Sequence, residues 1–450
     1  MLVVMARLIR ASYVCRDCGA RSPGPLGRCP RCGGWGSIEA DTATAPARTQ
    51  GPQRAWRELT LEDVDALTLE RFSSGMSEVD RVLGGGWVQG STSLLAGEPG
   101  VGKSTLLLQL ADESARAGRT TLYVAGEESP GQVKLRAGRL GVASGLAVTR
   151  ETDAALLAAH LASAAPALAI VDSIQTLTSE DGPAAGSPSQ VRDATALLTR
   201  AAKEGGTTLV LIGHVTKQGS FAGPKLIEHV VDATFALEYA AGLRVLRSLK
   251  NRFGPTGEVG VFEMATNGLV AIANPSAAFL AERPLGVPGS VVAAVLEGQR
   301  ALLVEVQALA SKSPYASPRR VVQGLDARRV DVVLAVLERR LGLPLEGLDV
   351  YVNVAGGLRI TDPGADLAVA AAVVSAVTNR PVPDGVALVG EIGLAGELRQ
   401  VGQLEQRARE AERAEHPRLI GPPRGSQPSV GRHLGVRSVR AALDALWDPS

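Results

Sequence analysis

The residues best placed to do chemistry lie in the run Leu94 to Leu107, LLAGEPGVGKSTLL, where Gly97 is followed after four residues by Gly102, Lys103 and Ser104. An apolar strand-like run precedes it and a helix-like run follows it. Glycines lack Cβ, so the backbone can wrap until its N–H groups and a helix N-terminus face a phosphate. Gly97, Glu98, Pro99, Gly100, Val101 and Gly102 would form that cradle, with Thr105 in the first helical turn. Lys103 would reach the β- and γ-phosphates and the Ser104 hydroxyl would take Mg²⁺. The spacing therefore points to ATP with Mg²⁺. A glycine-rich turn before an ordinary helix is the plainer alternative, and the strand-to-helix context argues against it.

A second constellation is the cysteines, all four of which fall in Cys15-Arg-Asp-Cys18 and Cys29-Pro-Arg-Cys32. Two C-x-x-C pairs, each followed by glycine (Gly19; Gly33, Gly34), suit two tight knuckles offering four thiolates to one tetrahedral Zn²⁺. Disulfides are the alternative, but there is no export signal. A segment this small buries little core, so the metal would supply its folding energy. Four sulfur ligands leave no open position, which makes such a zinc structural.

The elements that must position the first constellation follow it in order. Strand-like runs at Thr120–Val124, Ala167–Val171, Thr208–Ile212 and Val230–Leu237 alternate with helical patterns at 131–140, 153–164 and 189–204. This alternation predicts an α/β fold with an open, mostly parallel twisted sheet and ligands at the carboxyl ends of its strands. Asp172 ends LAIVD, where it can hold Mg²⁺; a plain N-cap is the other reading. Glu127 ends another strand, where a carboxylate could activate the attacking water. Glu128 is adjacent, and the sequence does not separate the two. His214 and Thr216 follow a further strand, as γ-phosphate sensors or as structural residues.

Composition bounds the rest. The 450 residues make room for two to four domains, and a net charge of +1 favours neither nucleic acid nor membrane. Seven of the 47 basic residues are Lys. No apolar run reaches the ~18–20 residues of a membrane span. The opening MLVVMARLIR lacks a secretory pattern, so a cytoplasmic location is expected, and Met5 could be the true start. The expected domains are a zinc module at 11–37, an Ala/Thr/Pro-rich linker at 38–58, an ATPase domain at 59–274 and a distinct domain at 275–450.

Two loops and one short motif invite a nucleic-acid reading. Residues 177–190 are rich in Gly, Pro and Ser, a composition for a mobile loop. In 215–226, Phe221 lies between Lys217 and Lys225: two cations for phosphates and one ring for a base, as in single-strand contacts, or simply a solvated basic loop. Lys250-Asn251-Arg252-Phe253-Gly254 puts two cations one residue apart in an extended segment, able to reach a phosphate. It lies far along the chain from Lys103, which suggests a neighbouring subunit's nucleotide.

The order YVCRDCG…CPRCGGWGS, GEPGVGKSTLL, YVAGEES, LAIVDSIQT, GHVTKQGSFAGPKLIEHVVD and SLKNRFGP resembles the bacterial RadA (Sms) family of DNA-repair proteins over essentially the whole chain. The resemblance implies a four-cysteine zinc ribbon and a RecA-like P-loop ATPase forming homohexameric rings. It further implies translocation on single-stranded DNA and branch migration of recombination intermediates, with a recombinase or replicative helicase as protein partner. It gives Lys250 and Arg252 an interface and coupling role, and makes the Lys217–Lys225 loop a DNA contact. A RecA-like assembly switch that does not translocate is the alternative.

From about Pro275 the chain resembles the proteolytic domain of Lon, an α/β domain whose chemistry needs a Ser nucleophile and a Lys of lowered pKa. Those positions fall near Gly364 and Glu405, and the only Lys after position 254 is Lys312. The dyad is absent, so a scaffold is expected and a peptidase is not. Arg319, Arg320, Arg328, Arg329, Arg339 and Arg340 permit a DNA-binding face, or are solvated helix faces.

Overall fold

The computed structural model describes residues 13–22, 24, 26–40, 70–142, 145–179, 182–214, 227–240, 242–315, 317–424 and 432–447. Thr216, Lys217, Phe221, Lys225 and most of the expected linker lie outside the described residues. The chain divides into two compact units, Met1–Leu67 and Thr68–Ser450.

In the first unit, β1 (Tyr13–Cys15) pairs antiparallel with β2 (Arg21–Ser22) and with β3 (Ile38–Ala40). The ribbon thus takes in residues 38–40, whose composition reads as linker, because Ile38 lies opposite Cys15 and completes the sheet. Two matching turns close the cysteine pairs: Gly19 N donates to Cys15 O at 2.8 Å, and Gly33 N to Cys29 O at 2.9 Å. Gly19 and Gly33 sit at φ 69° and 76°, the left-handed region that only glycine enters freely.

The second unit opens with β4 (Arg71–Phe72), α1 (Ser77–Leu83) and β5 (Trp87–Val88). Then come β6 (Thr92–Gly97), α2 (Lys103–Arg116), β7 (Thr121–Ala125), α3 (Pro130–Leu140), β8 (Ala147–Thr149), α4 (Ala154–Ala164), β9 (Leu168–Asp172), α5 (Pro188–Gly205) and β10 (Thr208–His214). A meander follows: β11 (Ala233–Ala240), β12 (Leu243–Asn251), β13 (Val259–Ala265) and β14 (Gly268–Ala271). These make a nine-stranded sheet of order β14-β13-β12-β11-β6-β10-β9-β7-β8. From β11 to β8 every pairing is parallel, and the meander is antiparallel. The parallel strands are covered on both faces, which is why β6 and β9 are buried at every residue. Leu95, Ile170 and Val210 pack with Leu106, Leu107 and Leu110 of α2, while Leu94, Ala169 and Leu209 pack with Leu157 and Leu161 of α4 and Leu198 of α5. That alternation is the period of two that a strand imposes.

The rest builds a seven-stranded sheet. Its elements are α6 (Pro275–Leu280), β15 (Ser290–Glu297), β16 (Arg300–Lys312), β17 (Arg320–Gln323), α7 (Ala327–Val336), β18 (Leu348–Val354), α8 (Asp366–Thr378) and β19 (Val386–Leu388). They continue with β20 (Glu391–Ile392), β21 (Leu398–Arg399), α9 (Leu404–Arg413), β22 (Arg418–Gly421), β23 (Arg432–Gly435) and α10 (Val439–Trp447). The order is β17-β18-β16-β15-β19-β22-β23, with the mostly apolar α8 buried against it.

The two sheets share a core. Val245, Val259 and Val261 of the meander pack in one cluster with Val291, Ala293 and Val304. Arg300 donates to Glu78 across this junction and to Val259 O at 3.1 Å, and Glu78 accepts from Val261 N at 3.1 Å. Arg247 reaches Glu297 at 2.5 Å. A Cβ on Gly298 would come within 2.4 Å of the Gly257 backbone, so the approach requires glycine. The change of pattern near Pro275 is a passage between sheets inside one compact unit.

Candidate nucleotide site and metal centre

The phosphate loop sits where β6 ends and α2 begins. A Cβ at Gly97 would lie 2.5 Å from Leu237 O, and Gly100 and Gly102 adopt φ 79° and 115°, so the wrapped path needs glycine at each. Lys103 is buried, and its Nζ donates to Gly97 O at 2.8 Å and Glu98 O at 2.9 Å. Its third neighbour is His214 Nδ1 at 3.3 Å. Burial lowers the Lys103 pKa, and the charges of Asp172 and Glu127 act against that fall. Ser104 is half-buried in the first turn of α2.

The strand-end carboxylates gather around this lysine. Asp172 ends β9 and accepts a 2.6 Å hydrogen bond from the phenol of Tyr123, which is fully buried in β7. Burial first, and the Asp172 charge second, push the Tyr123 pKa well above its usual value, so the phenol stays a donor. Glu127 accepts from Ser173 Oγ at 2.5 Å, and His214 Nε2 lies 3.1 Å from the same carboxylate oxygen. His214 therefore bridges Lys103 and Glu127. Glu128 turns away and pairs with Arg136 of α3. The geometry separates two carboxylates that adjacency in the sequence leaves equivalent: Glu127 meets Ser173 and His214 beside the lysine, and Glu128 pairs with Arg136.

Lys250 and Arg252 are elsewhere. They lie at the end of the sheet where Thr92 begins β6, and the length of β6 puts ~17 Å between that end and the phosphate loop. Lys250 Nζ donates to Glu228 O at 2.5 Å and Val231 O at 2.7 Å. Arg252 meets the buried Asp232 at 3.3 Å, which also takes Lys203 at 3.0 Å and both the N–H and hydroxyl of Thr92. Asn251 donates to Leu83 O at 3.1 Å, fixing the motif on the end of α1. So the structure brings Lys103, Asp172, Glu127 and His214 together and leaves Lys250 and Arg252 apart from them.

Sequence reasoning missed Tyr123, Ser173, Asp232 and Arg244. Tyr123 carried a signal: a phenol in the otherwise apolar TLYVA needs a buried partner. Arg244 of β12 donates from Nε to Val101 O of the phosphate loop at 2.8 Å and lies over the Tyr239 ring. Nothing near it in sequence announces that contact.

The four cysteine sulfurs all lie within 4.8 Å of one another, with Cys15–Cys32 and Cys18–Cys29 at 3.7 Å. A tetrahedron with ~2.3 Å metal–sulfur bonds has sulfurs ~3.8 Å apart, so the donor set fits Zn²⁺. A hydrogen bond with Ser37 leads in lowering the Cys15 thiol to about 6. At Cys32 the Gly34 backbone works downward, but its neighbours Cys18 and Cys29 push the thiol up to about 12. Crowded thiolates of this kind are what a divalent cation relieves.

The position near Gly364, where the Lon resemblance places a nucleophile, is also described. A Cβ at Gly364 would meet Arg407 Nη1 at 2.9 Å, and Arg407, fully buried, is tied to Asp362 and to Ala294 O at 2.7 Å. An arginine fills the space a nucleophile at 364 would use.

Fold and site together define a P-loop ATPase of the RecA-like class, with a four-cysteine ribbon before it and a Lon-like domain after it. Family models match accordingly: an AAA domain over 57–220, a rubredoxin metal binding domain over 13–40, and the Lon protease (S16) C-terminal proteolytic domain over 344–430. The chain is 44% identical to DNA repair protein RadA of Streptococcus pyogenes over 391 residues, 85% of this chain and 86% of that one. The RadA of Halalkalibacterium halodurans is 42% identical over 97% of this chain and 98% of its own. That of Pseudomonas aeruginosa is 44% identical over 85% and 86%. The chain belongs to the RadA family of DNA repair proteins. Among the described residues no helix is long and apolar enough to cross a membrane.

Proposed function

We propose that this chain is a DNA-dependent ATPase that works as a homohexameric ring on single-stranded DNA and drives branch migration of recombination intermediates. The observation that carries the reading is the two-ended sheet. The phosphate loop lies at one end and Lys250 and Arg252 at the other, too far apart to serve one nucleotide. In a ring, one subunit's far end meets the next subunit's phosphate loop. Lys103 then holds the phosphates, Ser104 and Asp172 the Mg²⁺, Glu127 activates water, and a neighbour's Lys250 and Arg252 complete the site.

Lys217, Phe221 and Lys225 contact the DNA; in the sequence they precede Glu228 and Val231, whose carbonyls hold Lys250. The ribbon, which extends to residue 40, contacts a recombinase or replicative helicase, and the ATPase and Lon-like parts meet near residue 275. The test mixes Lys103→Ala subunits with Lys250→Ala subunits. Complementation in trans restores hydrolysis stimulated by single-stranded DNA, although neither variant alone shows it. An Lys250→Ala protein with full DNA stimulation would sink the reading. Turnover indifferent to DNA, with no salt-dependent binding, would favour the nucleotide-gated assembly switch.

A further inference from the structure

The groups gathered around Lys103 all come from one flank of β6. His214 ends β10, Asp172 ends β9 and Glu127 follows β7, and the sheet order places these strands one after another on that side. They surround the terminal phosphate, so the rest of a nucleotide leads toward the other flank, where β11, β12, β13 and β14 stand. β11 runs toward the phosphate loop, with Leu237 opposite Gly97, and β13 runs the same way because both are antiparallel to β12. Two residues past Leu237, and on its face of the strand, comes Tyr239. Arg244 lies directly opposite Tyr239, and Phe262 directly opposite Arg244. This is the face that α2 covers, since Leu237 and Phe262 are buried with Leu106 and Leu107. Tyr239 is nonetheless 63% exposed, a large ring at the edge of the site that the core does not use. Met264, two residues beyond Phe262 on the same face, is exposed as well, and its Cε lies 2.9 Å from where a Cβ on Gly102 would stand.

Arg244 ties this surface to the loop. Its Nε donates to Val101 O at 2.8 Å, and its guanidinium lies 4.6 Å from the centre of the Tyr239 ring. Tyr239 and Met264 flank it, two strand spacings or ~10 Å apart across the sheet. An exposed aromatic ring, a planar cation and a thioether beside a phosphate loop are the chemistry that meets a nucleobase by its flat face. We propose that these three side chains form the seat of the nucleobase, which stacks on the Tyr239–Arg244 pair with Met264 at its edge. The inference rests on the nucleotide reading and adds the part of the ligand that the phosphate loop does not hold. It also gives Arg244 two roles. A base stacked on the pair orders the guanidinium, and the guanidinium holds the Val101 carbonyl, so the seat and the loop are formed together.

The test titrates the full-length protein calorimetrically with two ligands, ADP and inorganic tripolyphosphate, each with Mg²⁺. Tyr239→Ala should weaken ADP by about tenfold or more, the scale of one lost base stack, and leave tripolyphosphate unchanged. Tyr239→Phe keeps the ring and should bind ADP as the unaltered protein does. Met264→Ala should weaken ADP alone, by a few-fold, whereas Arg244→Ala also removes the loop contact and should weaken both ligands. Tyr239 is exposed, so its variants should fold, and their tripolyphosphate binding reports that they have. Equal ADP affinity in Tyr239→Ala overturns the proposal. So does an equal loss of both ligands in that variant, which would make the ring a support of the loop. A smaller oligomer in Tyr239→Ala with ADP affinity kept would assign the ring to a contact with a second copy of the chain. Binding of neither ligand by the unaltered protein would instead remove the nucleotide reading on which the seat depends.

Discussion

At the scale of single residues, the division of labour between Glu127 and Glu128 is the sharpest statement the site makes. Glu127 shares its oxygen between Ser173 and His214 beside Lys103, and Glu128 is held by Arg136. Glu127→Gln should cut hydrolysis by ~10²–10⁴, the usual range for a general base, while ATP still binds. Glu128→Gln should leave turnover within a few-fold; steady-state rates of the two variants decide it, and the opposite order would exchange their roles. Tyr123→Phe keeps the ring but removes the donor to Asp172. Loss of that bond, about 1 kcal/mol, should raise the Mg²⁺ needed for half-maximal ATPase several-fold with little change in fold. An unchanged Mg²⁺ titration would show that the phenol does not orient Asp172.

At the scale of elements, β6 to α2 was legible because its glycines, lysine and apolar runs are contiguous. The helices were legible within a residue or two at their ends for the same reason. α5, read as 189–204, runs Pro188–Gly205 with Ser187 accepting from Gln190 N. Contacts between distant segments were not legible: Arg244 at Val101, Asp232 at Thr92, and β8, a three-residue strand with mostly exposed residues, give no local pattern. Asp232 shows what such a contact does. Burial alone would raise its pKa, but hydrogen bonds from Lys203 and Thr92 outweigh that and leave it below the usual 3.8. Its contribution is complete above that ordinary value and is lost as pH falls through the lower folded one. Asp232→Asn should therefore cost about 1–3 kcal/mol at neutral pH, with the difference shrinking below pH ~4 in urea unfolding. The same element scale covers the position at Gly364: Gly364→Ser with Glu405→Lys should stay inert toward casein, because Arg407 fills the space.

At the scale of the molecule, the ribbon is a unit of its own, and the two large sheets are one. Chelation should unfold residues 13–40 while the second unit keeps its amide protection, read by hydrogen exchange. Arg300→Ala is the opposite kind of change. It leaves the buried Glu78 with only Arg81 at 3.6 Å and the Val261 N–H, and should cost about 1–3 kcal/mol, with both parts of the second unit losing stability together in denaturant. If only one part weakened, the shared core around Val245, Val259 and Val261 would not be coupling them.

Strand β12 has one more consequence. Its Arg244 grips the phosphate loop of its own subunit, and six residues on, its Lys250 grips the turn at Glu228 and Val231. The strand is continuous between those grips apart from a bulge at Leu249, opposite Thr234 and Phe235, and spans up to ~20 Å. Under the trans assignment, every such strand joins one nucleotide to the next, so the ring is a closed chain of struts rather than six independent engines. One residue inserted between 245 and 249 would lengthen a strut by ~3.3 Å and turn its far end to the other face of the sheet. Such a ring should still bind ATP in each subunit but fire its sites out of step, visible as loss of cooperativity in ATP hydrolysis.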